Sequence, residues 1–223
     1  MINYEQNLDR LIDRVESARL SVSGHHIVKI VAVSKYSTSK ELLSVYNQGQ
    51  RAFGENKVQD LDSKMSELEE YPLEWHFIGK LQKNKINKLI ELNPFLMQSC
   101  ESFEFAQEID KRLGIKEAKM NVLMQINSAY EEQKNGIDPK IAVDEYLKIQ
   151  ESCKNINLMG VMGIGTHSNY NVEIQKSFEE IYRVFEKLKP YGAKYCSMGM
   201  SSDFELAIKC GSNMIRVGST IFK

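Results

Sequence analysis

Val31-Ala32-Val33-Ser34-Lys35 is an apolar, β-branched run that carries one lysine to its end. Branching at Cβ favours the extended chain, so the run reads as a strand, and the hydroxyl and ammonium that close it mark where burial stops. A lysine released there has two readings. It is a solvated side chain closing a strand, or an amine that partial desolvation shifts toward its uncharged, nucleophilic form, able to add reversibly to an aldehyde. The pentapeptide alone favours the first; the rest of the chain reverses the preference.

Outward from this run, which extends over 27–34, apolar runs recur at 51–54, 74–78, 95–99, 121–126, 158–162, 194–197 and 214–217. Helical periodicity fills the intervals, at 39–48, 57–69, 83–92, 102–113, 139–153, 172–188 and 203–209. Eight strands joined by seven crossovers predict an α/β fold, a single (β/α)8 TIM-type barrel over 1–223. Leu8, Leu11, Ile12, Val15 and Leu20 add an amphipathic helix before the first strand, within an N-terminal extension over 1–24 that Gly24 ends. A doubly wound sheet is the alternative architecture, but no G-x-G-x-x-G follows any strand. In a barrel, ligand-binding residues belong at the C-terminal strand ends, which is where Lys35 falls.

Composition narrows the function. Twenty-nine basic against 30 acidic residues give a net charge of -1, with no general pull toward nucleic acid or an acidic membrane surface. No stretch reaches about 18 uninterrupted apolar residues and the N-terminus has no apolar signal core, so the expected location is cytoplasmic. Cys100, Cys153, Cys196 and Cys210 form no CxxC pair and have no histidine at zinc spacing, so they read as reduced core thiols and no metal site is expected.

A barrel's usual phosphate site lies after strands seven and eight. Here those segments are Ser197-Met198-Gly199-Met200-Ser201-Ser202 and Arg216-Val217-Gly218-Ser219-Thr220. Glycine lets the backbone approach closely, while exposed N–H groups and hydroxyls donate to oxygen. Ser202-Asp203-Phe204-Glu205 also fits a helix capping box, which makes Ser201 the better ligand of the two serines. Arg216 sits in an apolar strand, where its charge needs acceptors. Those are an acidic partner or a ligand, and against a pyridine nitrogen a guanidinium would not readily yield its proton.

These segments resemble the pyridoxal-phosphate homeostasis protein family, relatives of the alanine racemase N-terminal domain. The resemblance covers nearly the whole chain: Val31 to Lys35, Phe53-Gly54-Glu55-Asn56-Lys57-Val58-Gln59, Trp75-His76-Phe77-Ile78-Gly79-Lys80-Leu81-Gln82-Lys83-Asn84-Lys85, Met159-Gly160-Val161-Met162, Ser197 to Ser201, and Arg216 to Ser219. It implies pyridoxal 5'-phosphate (PLP) held as an aldimine on Lys35, with its phosphate near Ser201, Gly218 and Ser219. It further implies that the ring nitrogen faces Arg216, that Asn56 lies beside the cofactor, and that the barrel is a monomer. Lys57 stands where the family commonly has tyrosine, Ser202 where aspartate is frequent, Ser219 where threonine is common and Lys223 where glycine is usual; only Lys57 bears on the pocket's charge.

Of the remaining polar residues, His76 reads as a buried strand histidine bonded to a carbonyl or as a ligand donor. His167 reads as a pocket-rim or solvated residue, and Lys80, Lys83, Lys85 and Lys88 as a solvated helix face or a docking patch for phosphate-bearing partners. An arginine opposite the ring nitrogen weakens the cofactor's electron sink, and only 221–223 follow the last turn, leaving no room for the second domain that supplies a racemase's other base. The expectation is a PLP carrier in vitamin B6 homeostasis, without catalytic residues, that buffers the cofactor or delivers it to PLP-dependent apoenzymes. An amino-acid racemase, or another enzyme that uses the aldimine, is the alternative; a vestigial interaction barrel is the third.

Overall fold

The computed structural model describes residues 2–128, 135–166 and 168–223. Eight parallel strands close on themselves in sequence order, β1 through β8. They are β1 (Lys29–Val33), β2 (Ala52–Glu55), β3 (Glu74–Phe77), β4 (Leu96–Cys100), β5 (Met120–Ile126), β6 (Ile156–Gly163), β7 (Tyr195–Ser197) and β8 (Met214–Val217), and β8 pairs back onto β1 with Val31 opposite Arg216. The helices are α1 (Tyr4–Leu20), α2 (Ser39–Asn47), α3 (Val58–Glu67), α4 (Ile86–Leu92), α5 (Phe103–Ile115), α6 (Ala142–Ser152), α7 (Asn171–Leu188), α8 (Phe204–Lys209) and α9 (Ser219–Phe222). The predicted barrel and its N-terminal helix are therefore present, with each strand within two residues of its expected start and end.

Two apolar cores follow from the two faces of the strands. Val31, Ala52, Leu96, Leu123, Met162 and Met214, from six strands, form a cluster of their own that fills the barrel interior. Outward-facing residues such as Ala32, Phe53, Phe77, Val161 and Ile215 pack under the helices in the larger core. β6 carries an extra residue where its register against β5 shifts, and Gly160 there has φ +135°. A Cβ at 160 would lie 2.0 Å from the Tyr195 carbonyl oxygen, so only glycine allows β6 and β7 to pair through this bulge.

The N-terminal helix is tied to the other end of the chain. Asn7 Nδ2 donates to the Ile221 and Lys223 carbonyls, 3.0 Å each, and Arg14 forks onto Glu205 of α8 at 3.0 Å through both Nε and Nη2. Leu8, Leu11, Val15 and Ala18 supply its buried face. Among the described residues no helix is long and apolar enough to cross a membrane.

Candidate functional site at the barrel mouth

A cavity of about 1030 Å³ opens at the C-terminal ends of the strands, and Lys35, Asn56, Ser201, Arg216, Gly218 and Ser219 all line it. The six residues singled out from the sequence share one space. Ile78, Met162 and Ile164 add apolar wall that the sequence reading did not name among the site residues, although each lies at or just past the end of a recognised strand.

Lys35 leaves β1 through a gripped peptide. Lys64 Nζ, from α3, donates to the Ser34 carbonyl oxygen and to Glu55 Oε1, 2.7 Å each, and Ser34 Oγ donates to the same Glu55 oxygen at 2.6 Å. Glu55 is fully buried and its Oε2 has no hydrogen-bond partner among the described residues, so this ion pair is tolerated only because Oε1 collects two donors. Its effect is local: the carbonyl preceding Lys35 and the residue preceding Asn56 are held by one cluster. Asn56 is fixed from the other side by Gly79, where a Cβ would stand 2.0 Å from the Asn56 carbonyl oxygen. Lys35 Nζ sits 5.0 Å from the centroid of the Tyr36 ring, itself almost wholly exposed at the rim.

Beside Lys35, the turns after β7 and β8 touch. The Gly218 N–H donates to Ser201 Oγ at 3.2 Å, which leaves the hydroxyl proton of Ser201 free to donate elsewhere. Gly218 also lies against β1, where a Cβ would be 3.0 Å from the Val33 carbonyl oxygen. The capping box expected at Ser202 does not form. Asp203 is the N-cap of α8 and makes no side-chain cap, its Oδ1 accepting the Met200 N–H at 2.6 Å, while the Glu205 carboxylate is taken by Arg14. Ser202 is exposed and lines the cavity instead. Burial pushes the Asp203 carboxyl above its ordinary value despite the Met200 N–H and nearby Arg216.

Arg216 is buried inside the mouth, and among the described residues it has no acidic ion-pair partner in hydrogen-bond reach. Nη1 donates to the Ser197 carbonyl (2.8 Å) and to Ser197 Oγ (2.7 Å), and Nη2 donates to the Gly163 carbonyl (2.9 Å). Burial pushes its pKa down to about 10, which still leaves it cationic at neutral pH. Among the described residues three of a guanidinium's five N–H donors are thus engaged, and the Nε hydrogen and one Nη2 hydrogen are left over.

A row of polar groups continues below Arg216. Ser197 Oγ donates to Gln98 Oε1 (2.7 Å), Gln98 Nε2 bonds His76 Nδ1 (2.9 Å), and His76 Nε2 bonds Glu74 Oε1 (2.7 Å), to which Lys29 Nζ also donates (2.6 Å). His76 is therefore a buried strand residue, as one of its two readings has it, but its partners are a carboxylate and an amide rather than a carbonyl. Lys57 is exposed and is not one of the residues lining the cavity, so the departure from the family pattern there puts no charged group on the pocket wall. Lys80 reaches Glu101 and Asn135, and Lys88 reaches Asp62, while Lys83 and Lys85 lie on a 3-10 turn before α4. His167 lies outside the described residues. The four cysteines are free, three of them buried.

A closed parallel barrel with a polar cavity at its C-terminal mouth, a lysine after its first strand and coupled hydroxyl–glycine turns after its last two defines the structural class. Solved structures agree. PipY of Synechococcus elongatus PCC7942, in the form with PLP bound, superposes with a TM-score of 0.80 at 29% identity, covering 95% of this chain and 99% of that one. Alanine racemase of Clostridium difficile 630 shares the fold with a TM-score of 0.74 at 15% identity over 94% of this chain and 59% of the enzyme. No family model matches the sequence. The pyridoxal phosphate homeostasis protein of Helicobacter pylori strain J99 is 51% identical over 223 residues, all of both chains. The chain belongs to the pyridoxal phosphate homeostasis protein family.

Proposed function

We propose that this chain binds PLP at the barrel mouth, attaches it reversibly to Lys35, and serves to buffer or deliver the cofactor rather than to turn over a substrate. The observation that carries the reading is the convergence of an amine, a guanidinium and two linked hydroxyl–glycine turns on one cavity. The donor set fits PLP group by group. Lys35 offers an amine for the aldehyde. Ser201, Ser219 and the backbone around Gly218 offer donors to a phosphate, and the Nε and Nη2 hydrogens of Arg216 offer donors to the ring nitrogen. Asn56 borders the same space.

Bound PLP supplies an aldehyde that amines take up reversibly and a ring that accepts electrons best when its nitrogen is protonated. Arg216 works against the second property, because a guanidinium donates a hydrogen bond without giving up its proton. Among the described residues that line the cavity, the one acidic side chain, Glu41, is also committed. It accepts from the Thr38 N–H (2.7 Å) and the Thr38 hydroxyl (2.9 Å), and those bonds hold it below the usual carboxylate range. Holding without processing is the reading these residues support.

The experiment is an absorption spectrum of the purified protein with and without added PLP, then borohydride reduction and mapping of the modified peptide. The adduct is expected on Lys35. An adduct among Lys80 to Lys88 overturns the pocket assignment, and racemisation or transamination at ordinary enzyme rates of about 1–1,000 per second overturns the carrier reading.

A further inference from the structure

The polar row beneath Arg216 runs in a single sense from donor to acceptor. Arginine can only donate and a carboxylate can only accept, so with a neutral His76 between them the two ends, Arg216 and Glu74, set the sense of the middle. Ser197 Oγ takes a hydrogen from Arg216 Nη1 and passes its own to Gln98 Oε1. The Gln98 amide nitrogen then faces His76 Nδ1, which must accept, leaving Nε2 as the protonated ring nitrogen against Glu74. Reversing the Gln98 amide would oppose two acceptors at His76 and bring a second donor to Ser197 Oγ, whose own hydrogen would then have to find another acceptor. No single member can turn alone.

Ser197, Gln98 and His76 are fully buried, and none of them lines the mouth cavity. The charged and titratable groups facing the row are Lys29 from β1, Glu74 from β3 and Arg216 from β8, with Asp203 acting on Arg216 through its charge. Lys29 and Glu74 stand at the first residues of their strands and remain partly exposed, so the row spans the barrel from its N-terminal end to the ligand cavity.

We propose that Gln98 and His76 are positioning residues for Arg216, fixing the Ser197 hydroxyl as an acceptor so that the guanidinium presents its unused hydrogens to the ring nitrogen in one orientation. The proposal rests on the PLP reading above for its ligand, and on the hydrogen-bond geometry alone for its mechanism.

Two sets of measurements on the full chain and its Gln98→Leu and Gln98→Glu variants test it. In the absence of PLP, nitrogen NMR is expected to find wild-type His76 neutral with the proton on Nε2. Gln98→Glu should turn it into an imidazolium, because a carboxylate there demands a hydrogen on Nδ1. Gln98→Leu should speed exchange of the Arg216 guanidinium hydrogens by about tenfold, the loss expected when a hydrogen bond supporting a charged group is removed. A wild-type His76 protonated on Nδ1, or unchanged Arg216 exchange in folded Gln98→Leu protein, overturns the proposal.

With ligand, Gln98→Leu is expected to weaken PLP binding by about tenfold while leaving the analogue with C–H in place of the ring nitrogen unaffected. Equal weakening of both means general loosening of the barrel and counts against positioning. Failure of the wild type to bind PLP rejects the functional reading, yet the exchange measurement still decides the mechanism. Should Gln98→Leu fail to fold, the near-isosteric Gln98→Glu carries the test, since its carboxylate still accepts from Ser197 but must take a hydrogen from His76 Nδ1: an unchanged His76 in the folded variant sinks it.

Discussion

The N–H of Gly218 donates to the Ser201 hydroxyl across 3.2 Å, joining the turn after β8 to the turn after β7. The two segments act as one cradle because each fixes the other: Ser201 gives up a lone pair to the backbone, and its own proton is left for a ligand.

Ser201→Ala combined with Ser219→Ala is therefore expected to weaken PLP much more than unphosphorylated pyridoxal. Hydrogen bonds to a charged group are worth roughly 1.5–3 kcal/mol each, so losing two lowers affinity by at least about tenfold even after backbone donors compensate in part. Titration of both ligands checks it; equal losses would remove the phosphate from this cradle.

Lys35→Ala should abolish the borohydride-trapped adduct while leaving the fold intact, because Lys35 is half-exposed and its neighbours Ser34, Glu55 and Lys64 keep all their bonds to one another. Circular dichroism establishes the fold and mass spectrometry the adduct. Weak binding that survives is expected to depend on the phosphate contacts.

The barrel was legible from the chain because each strand is a short apolar run closed by polar or turn residues, and the mouth because its ligand-type residues sit at those closures. The failures share a cause. Ser202-Asp203-Phe204-Glu205 satisfies the local rule for a capping box, but Arg14, almost 200 positions away, claims the Glu205 carboxylate. The row from Arg216 to Lys29 is likewise invisible in sequence, since β8, β7, β4, β3 and β1 each contribute a single inward polar residue, or two at β3, and only barrel closure brings them within hydrogen-bond distance.

Gly79→Ala should be among the most damaging small substitutions. The added Cβ meets backbone rather than a flexible side chain, 2.0 Å from the Asn56 carbonyl oxygen. Overpacking typically costs about 1–3 kcal/mol, and a backbone clash has little freedom to relax. Denaturant unfolding should show a loss of roughly 3 kcal/mol, and PLP affinity should fall with it as Asn56 is displaced. A stable variant with normal affinity would show that Asn56 tolerates movement.

Acid should destabilise the fold through β3. Burial lowers the His76 pKa below its ordinary 6.5 despite the bond to Glu74. Between those two values the unfolded chain takes up a proton that the folded chain refuses, so stability falls as pH drops below about 6.5. Glu74 adds to the trend at lower pH. Burial works to raise its pKa, but bonds from His76 and Lys29 hold it below the ordinary 4.5, so its contribution is present above that value and is lost on further acidification. His76→Gln keeps an acceptor for Gln98 and a donor for Glu74 but cannot take a proton. Unfolding free energies at pH 7 and pH 5 are therefore expected to differ less in the variant than in the wild type, and equal differences would mean that His76 takes its proton as readily folded as unfolded.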